Sequence, residues 1–348
     1  VRPMACTRMP SARAISVAWG SVGDPVLFAP SVMSTMVLDA AGTSLAAISA
    51  TGAATAAPTR LSLDQSRFRM TGTSVMTFPK DPRLDLDDPD TNFRAMLKLR
   101  ADLAGKDCLF AFPGVAWAMV PQEKNYLCFK TFGIGASRIE EVPEGWRIYS
   151  REVLYYLDPA TGAILDTWKN PFLGGREVEV MHIANDPVNG VFARQGSPIL
   201  SPPYPYVSAG DDVVFQWNFF IFKPAELTRS EYPLYSSGDK DQHAELWGIK
   251  GRKSEILDPN VTSASCVMSW SRVAGWLPFM EMGASPGNMV FHSHSMKLMN
   301  GVDDIPRYIL DHTAKNFPKY LEAPKEWLGP VMTSSAGEFR KKIDAKKP

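Results

Sequence analysis

The chain has little cysteine, little histidine and no excess of charge of either sign. Its 348 residues include four cysteines, five histidines, and 37 basic residues against 37 acidic ones. Cys6, Cys108, Cys128 and Cys266 stand far apart. No C-x-x-C or C-x-x-C-H spacing occurs, which excludes a sequence-evident zinc knuckle or c-type haem attachment. Scattered cysteines of this kind read as small buried hydrophobes and fit a reducing compartment, so cytoplasmic residence is expected. Zero net charge argues against nucleic acid or an anionic membrane surface as partner, since both need a positive excess. There is no run of about 18 apolar residues, so no spanning helix is expected. Nucleotide and hydrolase signatures are missing too. Gly133-Ile134-Gly135 lacks a third glycine and a following helix, and neither a P-loop nor a G-x-S-x-G elbow occurs.

Aromatic residues make up 11% of the chain and charged residues only 21%. That balance suits ordinary β-core filling, and equally a pocket for a flat, uncharged aromatic molecule. Residues 1 to 60 stand apart, rich in Ala, Gly, Ser and Thr. They begin with Arg2, Arg8 and Arg13, but Asp24, Pro25, Pro30 and Asp39 interrupt any apolar stretch. The expectation is a loosely packed arm, with a degenerate export signal as the alternative. Residues 61 to 348 are expected to form a single domain.

From Asn92 onward, short runs of β-branched and aromatic residues alternate with Gly, Pro, Asn and Asp clusters. Strands are predicted at Cys108–Val120, Tyr126–Phe132, Trp146–Tyr156, Ala163–Trp168, Glu177–Ala184, Val213–Phe222, Ala264–Val273 and Asn288–Leu298. Asp158-Pro159-Ala160-Thr161-Gly162 carries the chemistry of a tight turn. One helix is predicted over Asp303–Asn316, capped by Asp303 or Asp304. Ser201–Tyr206 is a proline-rich loop. Such an order predicts a mainly β fold: an antiparallel β-barrel, or a barrel-like sandwich, with a few peripheral helices.

The candidate chemistry lies in the histidines. His292 and His294 sit two apart in NMVFHSHSMKL and share a strand face, about 7 Å apart along the backbone. They can converge on one metal, or one of them can serve as an axial haem ligand. They do not complete a cupin motif, because Leu298 and Met299 stand where its glutamate belongs. His243-Ala244-Glu245 puts an imidazole and a carboxylate on one face, and with His182 it could assemble a facial triad. Arg272, between Trp270 and Trp276, could stack on an indole. Arg151-Glu152 could form an ion pair, and Asn185-Asp186-Pro187 could be an Asx turn.

Ser150-Arg151-Glu152, Asp158 to Gly162, Trp168 to Pro171 and Asn185 to Val188 together resemble a bacterial and fungal family catalogued as a domain of unknown function. The resemblance runs from about Asn92 to Gly329. Within that family the chain is similar to an alkene-cleaving oxygenase. The resemblance implies splitting of the propenyl double bond of phenylpropenes to aromatic aldehydes, with dioxygen as oxidant. The partners would be a small apolar aromatic substrate and dioxygen. Triplet dioxygen needs a one-electron partner, so iron is expected, as haem b held by His292 or His294, with non-haem iron as the alternative. His182, His243 and Arg272 are the expected catalytic residues, and no nicotinamide is expected. The rival reading is a non-catalytic β-barrel carrier of haem or an apolar aromatic ligand.

Overall fold

The computed structural model describes residues 86–195 and 201–347; the N-terminal arm expected over residues 1 to 60 lies outside them. Ten strands form one antiparallel sheet, and two form a small second one. In chain order the strands are β1 (Cys108–Met119), β2 (Tyr126–Val142), β3 (Gly145–Leu157), β4 (Thr167–Asn170), β5 (Arg176–Glu179) and β6 (Ile183–Asn185). There follow β7 (Gly190–Ala193), β8 (Tyr206–Ala209), β9 (Asp212–Pro224), β10 (Lys240–Arg252), β11 (Val267–Ala274) and β12 (Asn288–Leu298). The large sheet runs β6-β3-β2-β1-β12-β11-β10-β9-β8, with β7 also paired to β3, while β4 and β5 make the small sheet. The helices are α1 (Pro89–Arg100), α2 (Lys253–Ile256), α3 (Arg307–Asn316) and α4 (Ser335–Asp344).

The mainly β prediction holds, but the barrel does not close. Among the described residues the outermost strands of the sheet do not pair with each other. So wide a sheet twists and curls. Here the curl brings Phe192 of β7 to a ring-centroid distance of 6.1 Å from Trp217 of β9. Side chains, not hydrogen bonds, bridge the gap that a barrel would close.

Alternation along the strands sorts residues between two faces. At one end of the inner face, α1 lays Phe93, Met96, Leu97 and Leu99 against Phe110, Val213, Phe215, Ile249 and Met268. At the other end, Phe129, Tyr156, Met289 and Phe291 pack with Trp168 of β4, Phe279 and Phe339 of α4. The outer face of β1 to β3 is covered by Ile305, Ile309 of α3 and Tyr320. Residues between the two inner clusters keep partial access to solvent, among them Phe112, Trp247 and Trp270.

Helix α1 escaped the sequence reading, although its signals are plain. Asp88 accepts from Thr91 N at 2.8 Å as N-cap, and Pro89 opens the first turn. Buried Asn92 donates to Leu86 O and Tyr204 O, tying the helix to the proline-rich loop. Its C-terminal end is fixed by a buried lysine: Lys297 Nζ of β12 donates to Lys98 O and Ala101 O at 2.9 and 2.7 Å. Helix α3 starts later than predicted, because Pro306 is its N-cap residue and Asp304 instead accepts from Asn300. Cys108, Cys128 and Cys266 are buried free thiols, as expected.

Glycine is required where β2 passes β1. The Phe112 ring lies over Gly133, and a Cβ there would stand 1.6 Å from its Cε2. Gly133→Ala should therefore cost about 1–3 kcal/mol by expelling that ring. Gly238→Ala, where an added Cβ meets nothing within 4 Å, should change little. Urea unfolding midpoints of the two variants check the difference.

Candidate functional site

Three tryptophans face one another across neighbouring strands of the inner face. Trp247 of β10 lies opposite Trp270 of β11 on one side and Trp217 of β9 on the other. The Trp247 and Trp270 rings are 5.9 Å apart and tilted by 48°. One row along, Glu245 lies opposite Arg272 and Phe219. The period of two places His243, Glu245 and Trp247 of β10 on the same side, and β10 is a strand the sequence reading only entertained.

Glu245 organises this belt. Its Oε2 accepts from Trp247 Nε1 at 3.1 Å and Trp270 Nε1 at 3.0 Å. Its Oε1 faces Arg272 Nη1 at 3.6 Å and His243 Nε2 at 3.7 Å. The His243 imidazole is buried, and its Nδ1 meets Asp241 Oδ1 at 2.8 Å. An ionised aspartate only accepts, so this bond assigns the proton to Nδ1 and turns Nε2 toward the belt.

From the far side of the curl, β3 contributes Glu152. Its Oε1 accepts from Asn185 Nδ2 at 2.8 Å. Burial raises the pKa of its carboxyl; the Asn185 bond opposes this, the Glu245 charge adds to it, and Arg272 and Arg100 oppose it. Glu152 and Arg151 form no pair, because adjacent strand residues point to opposite faces. Arg151 instead meets Asp186 at 3.4 Å, and Asp186 also takes Lys319 at 2.6 Å. Thus Asn185-Asp186 serves three side-chain contacts, and no Asx-turn bond from either side chain occurs among the described contacts.

Arg100, at the end of α1, reaches into the belt between rings. Its guanidinium carbon lies 6.0, 5.8 and 5.7 Å from the centroids of Phe110, Trp217 and Trp247. Its Nη1 contacts Met268 Sδ at 2.8 Å, and no carboxylate lies within ion-pair distance among the described residues. Burial disfavours its charge, while Cys266 and Glu152 favour it. Cation–π contacts are worth about 0.5–2 kcal/mol each, against several kcal/mol for desolvating a charge. The rings offset much of the cost and leave the cation without a directly contacting counter-charge among the described residues. Three N–H groups here also lack acceptors among the described residues: Arg100 Nε, Trp217 Nε1 and Arg272 Nε. Burying an unpaired donor costs about 1–3 kcal/mol.

The expected site residues divide into three places. His243 and Arg272 come together around Glu245, although Arg272 turns to the carboxylate and makes no indole stack among the described contacts. His182 lies elsewhere, packed on Tyr155 and Tyr156, with Nδ1 accepting from Tyr156 N at 3.2 Å. His292 and His294 share a face as predicted, but it is the exposed outer one. Their Nε2 atoms are 3.2 Å apart, and Ser271 Oγ holds His292 Nδ1 at 2.8 Å. Strand alternation identified the pair as neighbours; it could not say which face looked outward. No group of three or more His, Cys, Asp or Glu side chains able to hold a metal occurs among the described residues. Nor is any helix among them long and apolar enough to cross a membrane. Four charged side chains, Arg100, Glu152, Glu245 and Arg272, lie among the aromatic residues of this face. Sequence reasoning missed Arg100 and Trp247, which lie in a helix and a strand left unassigned, and Trp217, which sits in the predicted strand Val213–Phe222 at alternate positions with Phe215 and Phe219.

Two outcomes follow from this geometry. Glu245→Ala should cost about 3–5 kcal/mol, since it strands Arg272 and two indole N–H groups, while Glu245→Gln should cost less by keeping an acceptor. Chemical denaturation of both variants measures this. His182 is pushed down to about 4, first by burial and then by His312. The unfolded chain, titrating near 6.5, then binds a proton that the fold does not. Stability is therefore full above about pH 6.5 and falls, by about 1–3 kcal/mol, as pH drops toward 4. His182→Asn keeps an acceptor for Tyr156 N and should flatten that part of the pH–stability curve.

No curated protein matches the chain. Residues 105–343 match the family described as protein of unknown function (DUF1838), which is more than half of the chain. The protein therefore belongs to the DUF1838 family.

Proposed function

We propose that this protein is an oxygenase that uses dioxygen to cleave the propenyl double bond of phenylpropenes such as trans-anethole, isoeugenol and isosafrole. That is the activity of trans-anethole oxygenase, to which the sequence bears its resemblance. The observation that carries the reading is the row of Trp270, Trp247 and Trp217 on the inner face. Indole faces bind flat aromatic rings, and the apolar clusters at either end of the row keep water from the bound molecule. An aryl propene plus dioxygen gives an aryl aldehyde plus acetaldehyde, a balance that needs no reductant.

Iron, when bound, would supply the one-electron partner that triplet dioxygen requires. His243 would be the residue to hold the iron of a haem. It is buried on the inner face, Asp241 orients it through Nδ1, and Nε2 faces the belt. His292 and His294 fit this role less well, because a haem needs a dry slot and their face is open. Bare iron, which needs several protein ligands, draws less support from this donor set. Glu245 and Arg272 keep the indoles in place, and Glu152 stands across from them as a carboxyl able to hold or release a proton.

Propenyl substrates should be cleaved and their allyl isomers spared, because only the propenyl alkene is conjugated with the ring. Product aldehyde is measured for both isomers with and without NADPH. Equal rates on the isomers, or strict dependence on NADPH, contradict the proposal. His243→Ala should lower iron content and turnover together, whereas His292→Ala and His294→Ala should keep both. Binding without turnover in iron-loaded protein would leave only the carrier reading.

A further inference from the structure

The belt contains more hydrogen-bond donors than the protein uses. Arg100 Nε, Trp217 Nε1 and Arg272 Nε are buried without acceptors among the described residues. Trp217 is only 5% exposed, so bulk water does not readily serve its N–H. Arg100 sits among Phe110, Trp217 and Trp247, and its polar contact among the described residues is the Met268 sulfur. Among the described residues the charged and titratable groups around it are few. Glu152 faces it from β3, Cys266 lies beside it, and Lys297 of β12 is occupied at the end of α1. Glu152 spends a carboxylate oxygen on Asn185. Glu245 spends both of its oxygens on the two other tryptophans and Arg272.

We infer that the inner belt binds an aromatic molecule through an anionic oxygen on its ring, a phenolate or a carboxylate, placed against Arg100 and the Trp217 N–H. Buried charges are paired, and no carboxylate among the described residues lies within ion-pair distance of this one, which a ligand can therefore pair. The ring of such a ligand lies against the partly exposed Trp247, beside the guanidinium that Trp217 and Trp247 flank. An acceptor oxygen satisfies the orphaned donors that a purely apolar ring would leave bare. This deepens the function proposed above, on which it rests for the aromatic occupant. Among phenylpropenes it selects those with a free ring hydroxyl over their methyl ethers. A phenolate para to the propenyl chain also pushes electron density into the alkene that is to be cleaved.

The test uses the purified full chain and three probes: 4-hydroxybenzaldehyde, 4-methoxybenzaldehyde and benzoate. Calorimetry gives each affinity, and a difference absorption spectrum, taken about one pH unit below the free phenol's pKa, reports whether bound hydroxyaldehyde is ionised. An opposite charge lowers an acid's pKa by about 1–3 units, so the hydroxy compound should bind at least roughly tenfold tighter than the methoxy one and appear as phenolate. Arg100→Met should abolish that preference while keeping methoxy binding, and Arg100→Lys should retain it. Should Arg100→Met fail to fold, the comparison of probes on the unaltered protein decides alone. Tight benzoate binding lost in Arg100→Met would identify a carboxylate as a second acceptable anion. Equal affinities with the bound probe in its phenol form overturn this inference and leave the aromatic site standing. No binding of any probe overturns both.

Discussion

Glu245 holds the inner face together. A carboxylate that is only 9% exposed is tolerable when its lone pairs are occupied, and here two indoles from adjacent strands and an arginine occupy them. The consequences spread through the strands. Trp247 and Trp270 are held at a fixed tilt, and His243 is fixed between Glu245 and Asp241. Because Trp247 also lies opposite Trp217, the same carboxylate indirectly shapes the box around Arg100. A polar network of this kind fixes geometry more than it adds stability.

The two apolar clusters explain why the network lies where it does. Helix α1 fills one end of the inner face, and the small sheet with α4 fills the other. A closed barrel would pull its walls together along the whole length. The open, curled sheet leaves a middle zone in which Phe112, Trp247 and Trp270 are only partly buried. Lys297, by capping the last carbonyls of α1, sets how far Arg100 reaches into that zone.

Much of this was legible in the residues. Strand β12 was predicted with its observed bounds, and β1 and β3 to within a residue at each end, because their β-branched and aromatic runs stop at turn residues. The turn at Asp158 closes as its residues dictate, with Gly162 N donating to Asp158 O at 2.8 Å. What escaped was non-local. Strand β10 reads KDQHAELWGIKGR, where charges that face the belt look in sequence like those of a surface loop. Barrel closure depends on whether the outermost strands pair, which no local pattern reports. Alternation grouped His292 with His294, and His243 with Glu245, but the choice of inner face depended on where α1 and α3 pack. Arg100 illustrates the limit best: in sequence it is the basic last residue of a helix, and only folding surrounds it with three rings.

The central claim is that the inner belt, not the outer face with His292 and His294, is where this protein meets its aromatic partner. A crystal structure of the complex with 4-hydroxybenzaldehyde tests it most directly. The account predicts electron density for the ring beside Trp217 and Trp247, with the hydroxyl oxygen within hydrogen-bond distance of Arg100. Density for the ring on the outer face against His292 and His294, with an empty belt, would contradict it.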